Sequence, residues 1–224
     1  MKITESILIN NPCYKAGKTI KVKGLMLHSV GCPQPSAMVF VKSWNTSSTK
    51  ACVHGFIDGN SGEVYQTLPW NYKAGHCGGN LNSSHIGIEM CEPACIKYTS
   101  GSKFTCSDNA KAKEIVERTY KSAVELFAYL CKQYDLNPLA DGVIVSHSEG
   151  YARGVASNHG DPEHLWKGLK MPYTMDGFRK DVQAAMNPIL YRVQVGAYRN
   201  EQNAKNLLAK LKQAGFEGFI TKSI

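Results

Sequence analysis

Residues 24–29 read Gly24-Leu25-Met26-Leu27-His28-Ser29, a short apolar run that stops at an imidazole and a hydroxyl. A run of this length and composition is the pattern of a strand covered on both faces. It recurs at Ile86-Gly87-Ile88-Glu89-Met90, and at Val143-Ile144-Val145, which leads into Ser146-His147-Ser148-Glu149. Each run brings a group capable of chemistry to or near its end. Around them, Met38, Val39, Val41 and Trp44 fall at helical spacing behind Ser36, a candidate cap. Residues 52–57 and 63–67 flank Asp58-Gly59-Asn60-Ser61-Gly62, which predicts a hairpin. Ile115, Val116, Tyr120, Ala123, Val124, Phe127, Leu130 and Cys131 form one stripe, predicting a helix over about 107–134 that ends before Asn137-Pro138. Thr174 caps a last helix of this region, through Met186. These elements predict an α/β fold: a mixed central β-sheet flanked by helices.

Asn187-Pro188 marks a boundary. The reading is one domain over residues 1–187 and a small β-α-β module over 188–224. In the module, residues 191–198 alternate as a strand, Asn200 caps a helix carrying Ala204, Leu207, Leu208 and Leu211, and residues 216–221 form a second strand. A piece this small cannot bury much core alone.

The 224 residues include 26 Lys or Arg and 18 Asp or Glu, a net charge of +8. A basic surface favours a polyanion, whether nucleic acid, a membrane surface or an anionic wall polymer. The main helix mixes signs (Lys111, Lys113, Glu114, Glu117, Arg118), which argues against a nucleic-acid reader. No apolar run reaches membrane-spanning length, so no membrane insertion is expected. The first residues, MKITESILINNPCYKAGK, lack the apolar core and cleavage site of a signal peptide. Eight cysteines are present without a C-x-x-C pair, and they read as reduced structural residues; Cys91 and Cys95 are at most a weak metal knuckle.

Among seven histidines, His28 and His147 sit at strand ends, rigid positions that suit metal ligands. Asn158-His159-Gly160-Asp161-Pro162 offers a carboxylate on backbone held extended by the following proline. Two imidazoles and one carboxylate leave a fourth position open on Zn2+, the signature of a catalytic site. A lone strand-end histidine is also commonly just a satisfied polar residue. Glu89 interrupts a buried strand and needs a partner or a role; it reads as a general base or as half of a salt bridge.

Residues 25–166 resemble the type-2 N-acetylmuramoyl-L-alanine amidases, a family that includes peptidoglycan recognition proteins and phage amidases. Five segments line up in order: residues 25–29; Val53-His54-Gly55-Phe56-Ile57-Asp58 with Gly62-Glu63-Val64-Tyr65-Gln66; Ala74-Gly75-His76-Cys77-Gly78; Asn82-Ser83-Ser84-His85-Ile86-Gly87-Ile88-Glu89; and Ser146-His147-Ser148-Glu149-Gly150 with His159-Gly160-Asp161-Pro162. The resemblance implies zinc on His28, His147 and Asp161, Glu89 as the base acting on water, and cleavage of the amide between muramic acid and L-alanine in bacterial peptidoglycan. It implies substrate contacts at His76 and Asn82, a structural His54, and exposed or supporting positions for His85 and His164. His159 stands where many relatives carry lysine; a protonated imidazole there would stabilise the oxyanion or protonate the leaving amine, and it titrates near neutrality. Val53 stands where some relatives place a tyrosine, which leaves Glu89 as the base. The alternative is a non-catalytic peptidoglycan-binding protein, against which the presence of both Asp161 and Glu89 counts.

The tail from Tyr191 resembles half of a wall-binding SPOR repeat, so pairing of two chains into a homodimer through it is one expectation. Six Lys or Arg against two Glu after Pro188 suit an anionic wall. A wall-cutting domain without a signal peptide suggests a phage endolysin, or an autolysin, made in the cytoplasm and reaching the wall through a holin pore or on lysis.

Overall fold

A computed structural model describes residues 1–187 and 193–222, and the chain divides into two compact units, Met1–Pro188 and Ile189–Ile224. In the first unit, strands β1 (Ile3–Glu5), β2 (Gly24–Ser29), β3 (Gly55–Ile57), β4 (Val64–Gln66), β5 (His85–Met90) and β8 (Ile144–Ser146) form one sheet in the order β1-β4-β3-β5-β2-β8. All neighbours run parallel except the β3/β4 hairpin, so the sheet is mixed. Strands β6 (Ile96–Ser100) and β7 (Lys103–Cys106) make a separate antiparallel pair.

The central strand β2 is buried along its whole length, and its alternate residues serve two layers. Leu25 and Leu27, with Ile86 and Ile88 of β5, pack into the main core. Helix α3 (Asn109–Gln133) covers it with Val116, Ala123 and Phe127, and α6 (Met175–Met186) adds Phe178 and Val182. The other face of the same strands carries Met26 with Val145 in a smaller cluster, then His28 and Glu89. The strands that hold the site are thus clamped from behind by the largest core of the molecule.

Caps set the ends of the helices. Asp108 accepts from the Lys111 N–H at the start of α3, and Thr174 accepts from Gly177 N–H at α6. Helix α2 (Ala37–Trp44) departs from expectation: Ser36 makes no side-chain cap, and Asp58 of the hairpin turn accepts the Ala37 N–H at 2.9 Å instead. The same carboxylate takes the turn N–H groups of Asn60 and Ser61, so one buried acid ties hairpin to helix.

The expectation of uniformly reduced cysteines is corrected by a disulfide between Cys13, in α1 (Pro12–Ala16), and Cys52. Their 39-residue separation gave no sequence signal; the hydrogen bonds of Asn11 to the carbonyls of Trp44, Thr49 and Ala51 bring the two segments together. The other six cysteines are free. Cys91 is buried against Phe56 and Ala37, away from any metal grouping.

In the second unit, α7 (Glu201–Gln213) forms behind its Asn200 cap as expected. Residues 193–198 and 216–221 lie outside any strand, and Tyr191 and Arg192 fall outside the described residues. An isolated pair of strands has too little apolar cover to hold itself together in water. No described helix is long and apolar enough to cross a membrane.

Candidate metal centre and active site

Three parallel strands deliver the site residues to one end of the sheet. His28 lies near the carboxyl end of β2, in register with Glu89 on β5. His147 follows β8 directly and opens α4 (His147–Ala152). That junction is a capping box: Ser146 Oγ accepts from Glu149 N–H, and the Glu149 carboxylate accepts from Ser146 N–H. Arg179 of α6 holds the same Glu149 carboxylate, tying the His147 turn to the core helix.

Asp161 arrives from a loop. Its Oδ2 accepts from the Ser29 N–H at 3.2 Å, and its carbonyl accepts from the Ser148 N–H at 3.2 Å. These bonds pin it between the ends of β2 and α4. His28 Nδ1 lies 3.0 Å from His147 Nδ1, and the carboxylate of Asp161 stands 3.4 Å from the first and 3.5 Å from the second. One donor atom from each of the three buried residues falls within 4.8 Å of the others. Among the described residues this is the one grouping that could hold a metal. A borderline-soft dication such as zinc takes two imidazole nitrogens and a carboxylate oxygen, and with three protein ligands keeps a position open. The residues present fit it.

Electrostatics agree with a cation site. Burial would push the Asp161 carboxyl up, but His28, then His147 and the Ser29 N–H, outweigh burial and hold it below the usual carboxylate range. Burial and the neighbouring His28 push His147 down to about 4, favouring the neutral ring that a metal needs. Glu89 carries a buried Oε2 with no hydrogen-bond partner. Burial, then the facing Asp161 and Glu92, drive its carboxyl well above the ordinary value. An acid left orphaned beside His28 has its natural partner in whatever occupies the site.

His159 is exposed, with its ring centroid 4.4 Å from that of His147 and its Nδ1 3.1 Å from His147 Nε2. It therefore stands at the mouth of the site. His76 and Asn82 are turned inward. Both ring nitrogens of His76 are engaged, Nδ1 with His28 Nε2 at 2.9 Å and Nε2 with the His85 carbonyl at 3.2 Å. Asn82 Oδ1 accepts from the N–H groups of His76 and Cys77. Neither His85 nor His164 is exposed: His85 is buried against the Gly142 carbonyl, and His164 lies 2.6 Å from the Tyr98 hydroxyl. His54 is fully buried, accepting from the Gly87 N–H and facing the Tyr72 carbonyl, and burial pushes it down to about 4.

Sequence reading missed Glu92, Tyr98 and Ser157. Tyr98 donates to Glu92 at 2.7 Å, and Gly31 N–H also reaches that carboxylate, which burial pushes up to about 7. Tyr98 and His164 line a cleft of about 400 Å³ with Gly31, Ser102, His159 and Asp161. Glu92, an acid three residues beyond Glu89 in an apolar context, was the legible signal; Tyr98 gave none.

A family model described as N-acetylmuramoyl-L-alanine amidase matches residues 18–164. The chain belongs to that family. The amidase domain also matches solved structures in fold: the Staphylococcus aureus hydrolase AmiA in complex with its ligand (16% identity, 83% of this chain and 82% of that one, TM-score 0.59), the PlyG catalytic domain (16%, 86% and 100%, 0.58) and the XlyA catalytic domain (20%, 81% and 99%, 0.55). A SPOR domain model matches residues 187–224, next to the amidase domain. Comparison with curated protein sequences gives no match.

Proposed function

We propose that this amidase is a zinc enzyme that hydrolyses the amide between N-acetylmuramic acid and L-alanine in bacterial peptidoglycan. The observation that carries the reading is the convergence of His28 Nδ1, His147 Nδ1 and the Asp161 carboxylate beside the orphaned carboxyl of Glu89. Zinc held by these three residues would supply Lewis acidity, acidifying water and polarising an amide carbonyl. Glu89, in register with His28, would take a proton from the attacking water and return it to the departing amine. His159, at the exposed mouth, would donate to the tetrahedral oxygen or to the leaving nitrogen. The cleft beside Asp161 gives the substrate a seat. The presence of both Glu89 and Asp161 favours an enzyme over a non-catalytic wall binder.

The SPOR module would hold the chain on peptidoglycan, and its surplus of Lys and Arg suits an anionic wall. Pairing of two chains through the module, and a role as a phage endolysin or an autolysin released on lysis, belong to the same reading.

Digestion of purified walls tests it. The expected products are new free L-alanine amino groups without new reducing sugars, with loss of hydrolysis on complete chelation and return on zinc addition. Hydrolysis unchanged after complete metal removal would contradict it. His159→Ala is expected to lower turnover about 10- to 100-fold, within the range for one positioned acid–base group; full activity in that variant would remove His159 from the chemistry.

A further inference from the structure

His28 has two ring nitrogens, and only one orientation of its proton leaves a lone pair facing the metal position. The chain of contacts behind it decides which. His76 Nε2 lies 3.2 Å from the His85 carbonyl, which can only accept, so that nitrogen carries the proton. With that proton on Nε2, the uncharged ring has its second nitrogen, Nδ1, left as an acceptor. The atom facing it, His28 Nε2 at 2.9 Å, must then donate. A neutral His28 protonated at Nε2 has its free lone pair at Nδ1, the atom that meets His147 and Asp161.

The same logic holds on the other ligand. Ser157 Oγ donates to the Cys77 carbonyl at 3.1 Å and can accept from His147 Nε2 at 3.1 Å, a nitrogen that His159 Nδ1 also approaches at 3.1 Å; a proton on Nε2 puts the lone pair of His147 on Nδ1. The two relays start from neighbouring residues, His76 and Cys77. Asn82 Oδ1 pins both of their N–H groups, at 2.9 and 3.0 Å. Gly87 leaves the room His76 needs: a Cβ there would stand 2.5 Å from His76 Cγ.

We propose that His76 is a positioning residue that sets the tautomer of His28, with Ser157 as its counterpart on His147 and the 76–82 turn as the common frame. The proposal rests on the reading of His28 and His147 as metal ligands. It assigns His76 a role that touches neither substrate nor metal. A ligand imidazole whose outer nitrogen is held by an acceptor binds metal more tightly than an unsupported one.

The test uses the full chain. Long-range 1H–15N spectra of the metal-free wild type are expected to show His28 protonated at Nε2; a His28 protonated mainly at Nδ1 would overturn the proposal whatever the variants do. Zinc affinity is then measured by competition with a chromophoric chelator. His76→Leu is expected to bind zinc about 10- to 100-fold more weakly and to show mixed His28 tautomers. His76→Gln, whose amide can accept from His28 and donate to the His85 carbonyl, is expected to bind within about threefold of wild type. Gly87→Ala, which unseats the ring but leaves it present, is expected to behave as His76→Leu. Folding of each variant is followed by near-UV circular dichroism. A folded His76→Leu with wild-type zinc affinity would overturn the proposal while leaving the metal site intact. Failure of the wild type to bind zinc would overturn the site reading itself, and the proposal with it.

Discussion

At the scale of single residues, the site is a set of groups whose environments push them apart. His28, His147 and a backbone N–H lower the Asp161 carboxyl despite its burial, while burial and the facing Asp161 raise that of Glu89 well above its ordinary value. A bound cation would relieve that conflict and favour the basic form of Glu89 that the proposed mechanism needs. Glu89→Gln keeps the shape but removes the basic oxygen. It is expected to lower turnover by at least about 100-fold while zinc affinity stays within about threefold. Turnover near wild type, measured on a soluble muramyl peptide, would transfer the base role elsewhere. His28, His147 and Asp161, which the structure brings together, were legible as candidates because each stands at a strand end or before a proline in an ordered motif. The inward turn of His76 and Asn82 was not, because motif position gives the residue's place on the chain and not the direction of its polar atoms. The His85 carbonyl facing His76 Nε2, and the His76 and Cys77 N–H groups donating to Asn82 Oδ1, reveal it.

The elements explain how the site stays rigid. Leu25 and Leu27 point into the core from the same strand that presents His28, so packing behind the sheet fixes the imidazole in front of it. Phe127 of α3 is fully buried there and stacks edge-on to Phe178 of α6. Phe127→Ala is expected to cost about 3–5 kcal/mol of stability, read from urea unfolding, while wall-cleaving activity of the remaining folded fraction persists. A loss under 1 kcal/mol would show that this core does not clamp the sheet. Buried strands and the long stripe of α3 were readable because apolar period and length agree there. Strand β1 was not, since three half-exposed residues pairing with β4 leave no periodic trace. The hairpin of β6 and β7, which brings Tyr98 to the cleft, was equally silent for its mixed composition. The α2 cap went to Asp58 instead of the nearer Ser36 because a long-range acid outcompeted a local hydroxyl.

For the whole molecule, the cost of burying acids near the site appears in its pH stability. Burial pushes Glu92 from 4.5 up to about 7. Between those values the folded chain holds a proton that the unfolded chain has lost, so Glu92 removes stability as pH rises through that window. Glu92→Gln in the metal-free chain is expected to gain relative to wild type from pH 4.5 to 7, by at most about 3 kcal/mol. A constant difference between the two across that range would show that Glu92 is ordinary. The chain divides into the units Met1–Pro188 and Ile189–Ile224, beside the Asn187-Pro188 dipeptide, whereas residues 193–198 and 216–221, expected as strands, lie outside any strand. The claim on which the rest depends is the identity of the metal ligands in a chain that also carries six free cysteines. X-ray absorption at the zinc edge of the zinc-loaded protein tests it most directly. Two imidazole nitrogens and only light N/O neighbours besides, with no sulfur, are expected; zinc–sulfur scattering, or a first shell without imidazole, would contradict that ligand set.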